Sequence, residues 1–120
     1  MPDKLKILII DDDTDLRSVL QKFLQGQGFK AESASDGPGG LKLIEGEEFH
    51  IVILDIYMPG MDGLKVLNKI KKAHPSTKVI MLTAADGIKI AEDAVRSGAS
   101  EYITKPFNLN FLLETIEKLK

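Results

Sequence analysis

The sequence predicts an α/β domain in which a doubly wound, five-stranded parallel sheet is covered by five helices. Short aliphatic runs alternate five times with segments whose apolar residues recur at helical spacing. The connections between them are short, which favours βα units on both faces of one sheet. Polar motifs follow four of the aliphatic runs. The chain is large enough to bury its own core, so we expect one domain over residues 1–120.

The first βα unit carries the clearest pattern. Residues 5–10 are a continuous aliphatic run, typical of a strand that is covered on both faces. Thr14 can cap the helix that follows, and Gly26 and Gly28 end it. The apolar stripe of this helix consists of Leu16, Val19, Leu20, Phe23 and Leu24. These residues are expected to face the sheet.

The next two units differ in polarity. Residues 29–34 are more polar and predict an edge strand, whereas residues 51–54 predict a buried central strand. Pro38 and residues 41–45 indicate a second helix, which is weakened by Gly37, Gly39 and Gly40. Residues 63–72 predict the third helix, with Leu64, Leu67 and Ile70 on its apolar face. The polar second strand therefore belongs at an edge of the sheet.

The last two units repeat the same alternation. Residues 78–82 predict the fourth strand, and residues 88–97 predict a helix that Gly98 ends. Residues 101–104 predict a short fifth strand. Asn108 can cap the last helix, whose inward residues are Leu112, Leu113, Ile116 and Leu119. Five βα units account for the whole chain.

Composition excludes several classes of function. The 16 basic and 18 acidic residues give a formal charge of −2, which offers no electrostatic argument for binding nucleic acid or an anionic membrane. The absence of cysteine excludes disulfides, thiolate chemistry and sulfur-ligated metals. No apolar stretch is long enough for a membrane span, and the first residues do not form a signal peptide. We expect a soluble, cytoplasmic domain.

The polar motifs predict one site at the carboxyl end of the sheet. Asp11 and Asp12 follow the first aliphatic run, Asp55 the third, Thr83 the fourth and Lys105 the fifth. Three carboxylates brought together repel one another unless a cation intervenes. Oxygen ligands without histidine or cysteine favour a hard divalent ion such as Mg²⁺, with Mn²⁺ as a plausible substitute. A carboxylate can also attack phosphorus to give an acyl phosphate, while a lysine and a hydroxyl can hold phosphoryl oxygens.

Four sequence blocks carry a resemblance to a known family. They are IIDDD at 9–13, LD at 54–55 with MPGMDG at 58–63, MLTA at 81–84 and YITKPF at 102–107. With these blocks in order, the chain is similar over essentially its whole length to the receiver domain of bacterial two-component response regulators. The resemblance implies a flavodoxin-like (βα)5 fold with strand order 2-1-3-4-5. It also implies a phosphoacceptor domain that receives a phosphoryl group from a histidine kinase or a histidine phosphotransfer protein.

The resemblance assigns the acidic residues their roles. Asp55 would be the phosphoacceptor. Asp12 would bind Mg²⁺ directly, Asp11 mainly through water, and the backbone carbonyl of Tyr57 would add a ligand. Asp13 begins the turn, because the pair directly after the first strand sits at the end of the sheet. The expected metal ligands are therefore those of the block at 9–13 together with the residues at 55 and 57.

Further roles concern phosphoryl binding and the switch. Thr83, Lys105 and the amide of Ala84 would hold the phosphoryl group, and a cis bond between Lys105 and Pro106 is implied. Thr83 and Tyr102 would form the switch, which means that they would change position on phosphorylation. The surface of helix 4, strand 5 and helix 5 would thereby be altered, and it would bind the output partner or a second copy of the chain. Exposed Phe111 and Ile90 could anchor a partner there.

Two positions next to the phosphoryl-binding residues would tune the lifetime of the phosphoryl group. Tyr57 lies two residues after Asp55, and Ala85 lies two residues after Thr83. A bulky tyrosine would shield the acyl phosphate from water, and alanine offers no polar group to orient that water. These two residues predict slow self-hydrolysis.

The same residues allow other interpretations. Aspartates near strand ends often cap helices or make turns, which accounts for Asp13, Asp36, Asp62 and Asp86. A phosphatase of the aspartyl-phosphate type needs a second aspartate two residues after the nucleophile, where this chain has Tyr57, and a Walker-A loop is absent.

Two further questions are whether the domain signals without being phosphorylated and in what kind of protein it acts. A receiver-like module acting without phosphorylation would be expected to lack the acidic pair, Thr83 or Lys105, and none is missing. We therefore expect a signalling domain rather than an enzyme, although it would catalyse its own phosphorylation and dephosphorylation. The sequence leaves open whether it acts alone, in a phosphorelay or as part of a longer regulator.

Overall fold

The computed structural model describes residues 5–58, 61–84 and 88–120. Its main sheet contains the strands β1 (Lys6–Ile10), β2 (Lys30–Ala34), β3 (Ile51–Asp55), β4 (Lys78–Ala84) and β5 (Glu101–Lys105). All neighbouring strands are parallel, and their order is β2-β1-β3-β4-β5. The predicted fold class and strand order are confirmed, with the polar second strand at an edge.

The five predicted helices are present. They are α1 (Thr14–Gly26), α2 (Gly37–Gly46), α3 (Gly63–Ala73), α4 (Ile88–Arg96) and α5 (Leu109–Leu119). Each boundary lies within a few residues of the predicted one, and α2 includes the glycines that weakened its prediction. Among the described residues, no helix is long and apolar enough to span a bilayer.

The capping residue of α1 was predicted wrongly. Asp13 has extended backbone angles (φ −79°, ψ 106°), and its side chain accepts a hydrogen bond from the amide of Leu16 at 3.1 Å. Thr14 is the first helical residue. Both residues carry an oxygen that can cap a helix, and the extended backbone of Asp13 decides between them. Asp13 therefore begins the helix as well as the turn.

Other capping predictions are confirmed. Asp36 accepts from the amide of Gly39, Asp62 from that of Leu64 and Asn108 from that of Phe111, at 2.7, 3.0 and 2.7 Å. Asp86 lies outside the described residues. These short polar side chains fix where α2, α3 and α5 begin, because each satisfies an amide that has no partner within its own helix.

Two hydrophobic cores lie on opposite faces of the sheet. Strand residues alternate between them, as the period of two requires. The α2/α3/α4 core contains Leu8, Ile10, Ile44, Phe49, Val52, Leu54, Ile56, Val66, Leu67, Ile70, Val79, Met81, Ala91, Ala94 and Ala99. The α1/α5 core contains Ile7, Ile9, Leu20, Leu24, Ala31, Ile51, Ile53, Ile80, Leu82, Ile103, Leu112 and Ile116. The central strands are thus covered on both sides.

The predicted apolar stripes need small corrections. Val19 is 50% exposed, so it does not belong to the inward stripe of α1. It follows Ser18, which is also exposed, so this side of α1 faces solvent. Leu113 and Leu119 of α5 are half-buried, whereas Leu112 and Ile116 are fully buried. Leu112 and Ile116 therefore lie at the centre of the contact between α5 and the sheet.

A short hairpin follows β3. Tyr57–Met58 pairs antiparallel with Met61–Asp62, and α3 begins at the next residue, Gly63. A Cβ atom at Gly63 would lie 2.8 Å from both Cα and O of Ile56. Only glycine allows the start of α3 to approach the backbone after β3 this closely. This approach fixes the segment that follows Asp55.

Candidate functional site

The carboxyl ends of β1, β3, β4 and β5 bring the polar motifs together. Asp11 directly follows β1, and Asp55 is the last residue of β3. Asp55 pairs in register with Leu82 of β4, and Ala84 pairs with Lys105 of β5. Ligand sites of doubly wound sheets lie at this edge, where the strand order reverses. The predicted site residues on these four strands therefore share one edge.

Three carboxylates form what we call the acidic cluster, Asp11, Asp12 and Asp55. One carboxylate oxygen of each residue lies within 4.8 Å of the other two. Asp11 is fully buried, Asp55 is 5% exposed and Asp12 is exposed. The sequence prediction that these three side chains converge is thereby supported. Two of them lie within the protein, and the third faces solvent.

Asp11 is fixed by contacts with β2, with the following turn and with α1. Its amide donates to the carbonyl of Ala34 at 3.2 Å, and its Oδ1 accepts from the amide of Asp13 at 2.9 Å. Its own carbonyl accepts a hydrogen bond from the guanidinium of Arg17 at 2.8 Å. Sequence reasoning missed Arg17. The available signal was a basic residue one turn into the helix that follows the acidic pair.

Lys105 connects two members of the acidic cluster. Its Nζ lies 3.0 Å from Oδ2 of Asp11 and 3.3 Å from Oδ2 of Asp55. Burial lowers the pKa of the Lys105 ammonium, but the hydrogen bond to Asp11 and the charges of Asp55 and Asp11 outweigh it, so this pKa is raised above 10.5. The Lys105–Pro106 peptide bond is cis, as the resemblance implied. Lys105 is therefore a fully charged partner of two buried carboxylates.

Thr83 and Tyr102 lie on the same face of the sheet. Thr83 is fully buried, and its hydroxyl donates to the carbonyl of Ala84 at 3.2 Å. Tyr102 is half-buried, pairs in register with Met81 and packs against the α2/α3/α4 core together with it. Because side chains alternate along a strand, Thr83 points to the same face as Met81. A movement of Thr83 would therefore act on the side where Tyr102 lies.

The remaining predicted positions have different outcomes. The backbone of Tyr57 belongs to the hairpin, but its side chain and all of Ala85 lie outside the described residues. Phe111 is 51% exposed, as expected for a partner anchor. Ile90 was expected to be exposed and is instead half-buried against the α2/α3/α4 core, because its side of α4 faces the sheet. Phe111 alone keeps the expected exposure.

The acidic cluster can hold a metal ion. It offers carboxylate oxygens and no nitrogen or sulfur ligand, which suits a hard cation. The exposure of Asp12 leaves one side open to water, and a cation that keeps several waters needs such an opening. The three carboxylates therefore fit a hard divalent cation that keeps several waters. A positive charge here would also offset the repulsion among the three carboxylates.

Comparisons with known proteins agree with the fold and the site. A family model described as the response regulator receiver domain matches residues 7–117. The transcriptional regulatory protein ZraR of Salmonella typhimurium is 34% identical over 115 residues, covering 96% of this chain and 26% of ZraR. The chain thus spans about a quarter of the length of the curated relatives it matches.

Solved structures give the same result. The receiver domain of NtrX from Brucella abortus superposes with a TM-score of 0.90 at 35% identity, covering 94% of this chain and 96% of that one. The chemotaxis protein CheY4 of Vibrio cholerae superposes with a TM-score of 0.92 at 28% identity, covering 98% of this chain and 100% of CheY4. Both similarities extend over nearly the whole chain.

Proposed function

This chain belongs to the response regulator receiver domain family, and we propose on that premise that Asp55 accepts a phosphoryl group from a partner phosphohistidine. Receiver domains are phosphoacceptor signalling domains, and histidine kinases are their general partners. The observation that carries the assignment to Asp55 is its place in the acidic cluster, with Nζ of Lys105 at 3.3 Å. The donor would be a sensor histidine kinase or a histidine phosphotransfer protein.

Asp11, Asp12, Asp55 and the backbone carbonyl of Tyr57 would hold Mg²⁺, with Mn²⁺ as a plausible substitute. When bound, the cation supplies positive charge against the oxygens of the transferring phosphoryl group. Asp12 is exposed and suited to direct coordination, whereas both carboxylate oxygens of Asp11 already accept hydrogen bonds, which suits contact through water. The oxygen-only ligand set is the support for this choice of metal.

The transfer step is a displacement at phosphorus. A carboxylate oxygen of Asp55 forms the new P–O bond while the P–N bond to the donor imidazole breaks, and its electron pair returns to the imidazole. Lys105, Thr83 and the amide of Ala84 would hold the phosphoryl oxygens. Nζ of Lys105 already lies beside Asp55 at 3.3 Å and needs little movement to do so. The product is an acyl phosphate on Asp55.

Phosphorylation would then alter the surface of α4, β5 and α5. To reach a phosphoryl oxygen, the Thr83 hydroxyl must leave the carbonyl of Ala84. This movement opens space on the face that Thr83 shares with Tyr102, and we propose that Tyr102 turns inward to fill it. The altered surface, which includes exposed Phe111, would bind the output partner or a second copy of the chain. Nuclear magnetic resonance of Tyr102 before and after phosphorylation tests this; an unchanged ring environment would contradict it.

The decisive experiment is incubation with acetyl phosphate and Mg²⁺ followed by intact-mass measurement. We expect a mass gain of one phosphoryl group that disappears in Asp55→Ala. Asp93→Asn is the matched control, because it removes a carboxylate from an exposed ion pair on α4 and should keep the gain. Absence of the adduct with and without metal would contradict the proposed function. It would favour the alternative, a receiver-like interaction module acting without phosphorylation.

The lifetime of the phosphoryl group belongs to the same proposal. We expect slow self-hydrolysis, because a tyrosine at 57 shields the acyl phosphate and an alanine at 85 cannot orient the attacking water. Tyr57→Asn should accelerate the decay of the phosphorylated protein in a time course of intact mass. Unchanged or slower decay in the variant would count against the shielding role.

Other parts of the proposal concern the setting of the domain. Residues 1–120 would form a single receiver domain that acts in the cytoplasm and does not bind nucleic acid directly. Near-equal numbers of basic and acidic residues support the last point, since they create no positive field. A phosphatase is disfavoured by Tyr57, which occupies the position of the second aspartate that such enzymes need. The output is proposed to reside in a partner or in another part of a longer regulator.

A further inference from the structure

Arg17 connects α1 to the turn that carries the acidic pair. Its backbone amide donates to the carbonyl of Asp13 at 2.9 Å, as expected in the first turn of a helix. Its half-buried side chain reaches further back and donates from Nη1 to the carbonyl of Asp11 at 2.8 Å. One residue therefore holds two successive parts of the turn. The bond from the Arg17 side chain to the carbonyl of Asp11 is not needed to cap α1, because the Asp13 side chain already does so.

The carbonyl of Asp11 has a special place in this turn. It belongs to the peptide group that joins Asp11 to Asp12, so its direction sets the direction in which the chain continues to Asp12. The amide and carboxylate of Asp11 are fixed by Ala34 and Asp13. Asp12 exposes its side chain to solvent, and its position depends on the backbone beneath it. Holding this carbonyl therefore holds the relative placement of both carboxylates.

Arginine is well suited to this task. Its guanidinium is planar, permanently charged and directional in its hydrogen bonds, whereas a lysine ammonium is a mobile point charge. A charge-assisted hydrogen bond to a carbonyl is stronger than a neutral one. The positive charge also lies near the acidic cluster, so an effect of charge alone must be separated from an effect of geometry. The two effects predict different behaviour for a lysine at this position.

We propose that Arg17 is a positioning residue of the cation site, which orients the peptide group between Asp11 and Asp12 so that both carboxylates face the same ion. This inference rests on the proposed function and deepens it. Arg17 does not touch the reacting atoms and acts through the backbone of its neighbours. Partners of this kind around metal ligands typically change metal affinity by about 10- to 100-fold when they are removed.

The test is Mg²⁺ affinity measured by titration calorimetry on the full chain. Arg17→Met should weaken Mg²⁺ binding about 10-fold or more. Arg17→Lys should recover only part of the lost affinity, because it keeps the charge without the planar geometry. Arg96→Met is the control; it removes the same charge from an exposed pair with Asp93 and should bind Mg²⁺ as the wild type does.

Each outcome of this experiment either supports or contradicts the positioning role of Arg17. Wild-type affinity in Arg17→Met would overturn the inference, and so would full recovery by Arg17→Lys, which would assign the effect to charge. Denaturant unfolding in a chelator shows whether each variant is folded, and Arg17→Lys provides the test if Arg17→Met does not fold. If the wild type binds Mg²⁺ and is phosphorylated while Arg17→Met matches it, this inference alone fails. If the wild type does neither, the proposed function fails with it.

Discussion

At the scale of single residues, the positive charge of Lys105 offsets part of the negative charge of the acidic cluster. Its ammonium lies within 3.3 Å of two carboxylates that are almost entirely buried. Burying such charges is unfavourable unless they are paired. Lys105 is itself 28% exposed, so the pairing is weaker than that of a fully buried triad. Lys105 thus places a positive charge beside both Asp11 and Asp55.

Replacing Lys105 by methionine should destabilise the metal-free protein. Because Asp11 and Asp55 would lose the neighbouring ammonium of Lys105, we expect the free energy of unfolding to fall by about 1–3 kcal/mol, less than the ~3–5 kcal/mol of a fully buried pair. Denaturant unfolding in a chelator measures this. The folded-state pKa of Lys105 is raised above 10.5, so its stabilisation is complete at neutral pH and is lost only as the pH rises through that raised value.

The control for this change is Lys118→Met, which breaks an exposed pair with Glu101. The side chain of Lys118 is 69% exposed, and such surface pairs contribute about 0–1 kcal/mol. Equal losses in the two lysine variants would show that burial of the carboxylates does not determine the effect. Loss of the stabilising difference between wild type and Lys105→Met as the pH rises, at values still below the ordinary pKa of lysine, would contradict the direction of the pKa shift.

At the scale of elements, the start of α3 fixes the segment after Asp55. Gly63 allows the helix to lie against the backbone of Ile56. The same segment carries the Tyr57 carbonyl that is proposed as a ligand. The position at which α3 begins therefore affects the placement of the Tyr57 carbonyl.

Gly63→Ala should disturb stability and metal binding together. The added Cβ would meet backbone atoms at 2.8 Å, which no side-chain rotation can relieve, so α3 must shift. We expect a loss of about 1–3 kcal/mol in denaturant unfolding and weaker Mg²⁺ binding in calorimetry. Gly26→Ala is the matched control, because open space surrounds that position and alanine should stabilise it by about 0.4–1 kcal/mol. Equal stability of the two alanine variants would exclude the packing role of Gly63.

Sequence patterns predicted the elements well and their detailed contacts less well. Aliphatic runs and helical spacing are local properties, and they located all five βα units. The choice between Asp13 and Thr14 as cap depends on backbone angles that the two adjacent residues do not reveal. Arg17 was missed because no periodicity signals a bond from a side chain to a carbonyl six residues earlier. Gly63 was part of a recognised block, but its need for close approach is visible only once α3 is packed.

At the scale of the whole molecule, cation binding and folding should be linked. The acidic cluster joins residues from β1 and β3, so it exists only when the sheet is assembled. A cation that binds the native state alone stabilises it, by about 2.7 kcal/mol at 100 times the dissociation constant. We therefore expect Mg²⁺ to raise the melting temperature of the wild type and to have little effect on Asp12→Asn, as measured by circular dichroism.

Asp15→Asn serves as the comparison for this experiment. Asp15 is exposed in the first turn of α1, close in sequence to the acidic pair but outside the acidic cluster. Its variant should keep the full increase in melting temperature. An equal increase in Asp12→Asn would mean that Mg²⁺ acts elsewhere on the molecule.

The two hydrophobic cores have a consequence for how the molecule opens. β1 and β3 are covered on both faces, and the buried carboxylates lie at their carboxyl ends. Amide protons of such strands exchange with solvent only when the whole domain unfolds, whereas peripheral helices open at lower free energy. A transient opening of α4 or α5 therefore leaves Asp11 and Asp55 in place. The outer helices can therefore rearrange while the acidic cluster stays assembled.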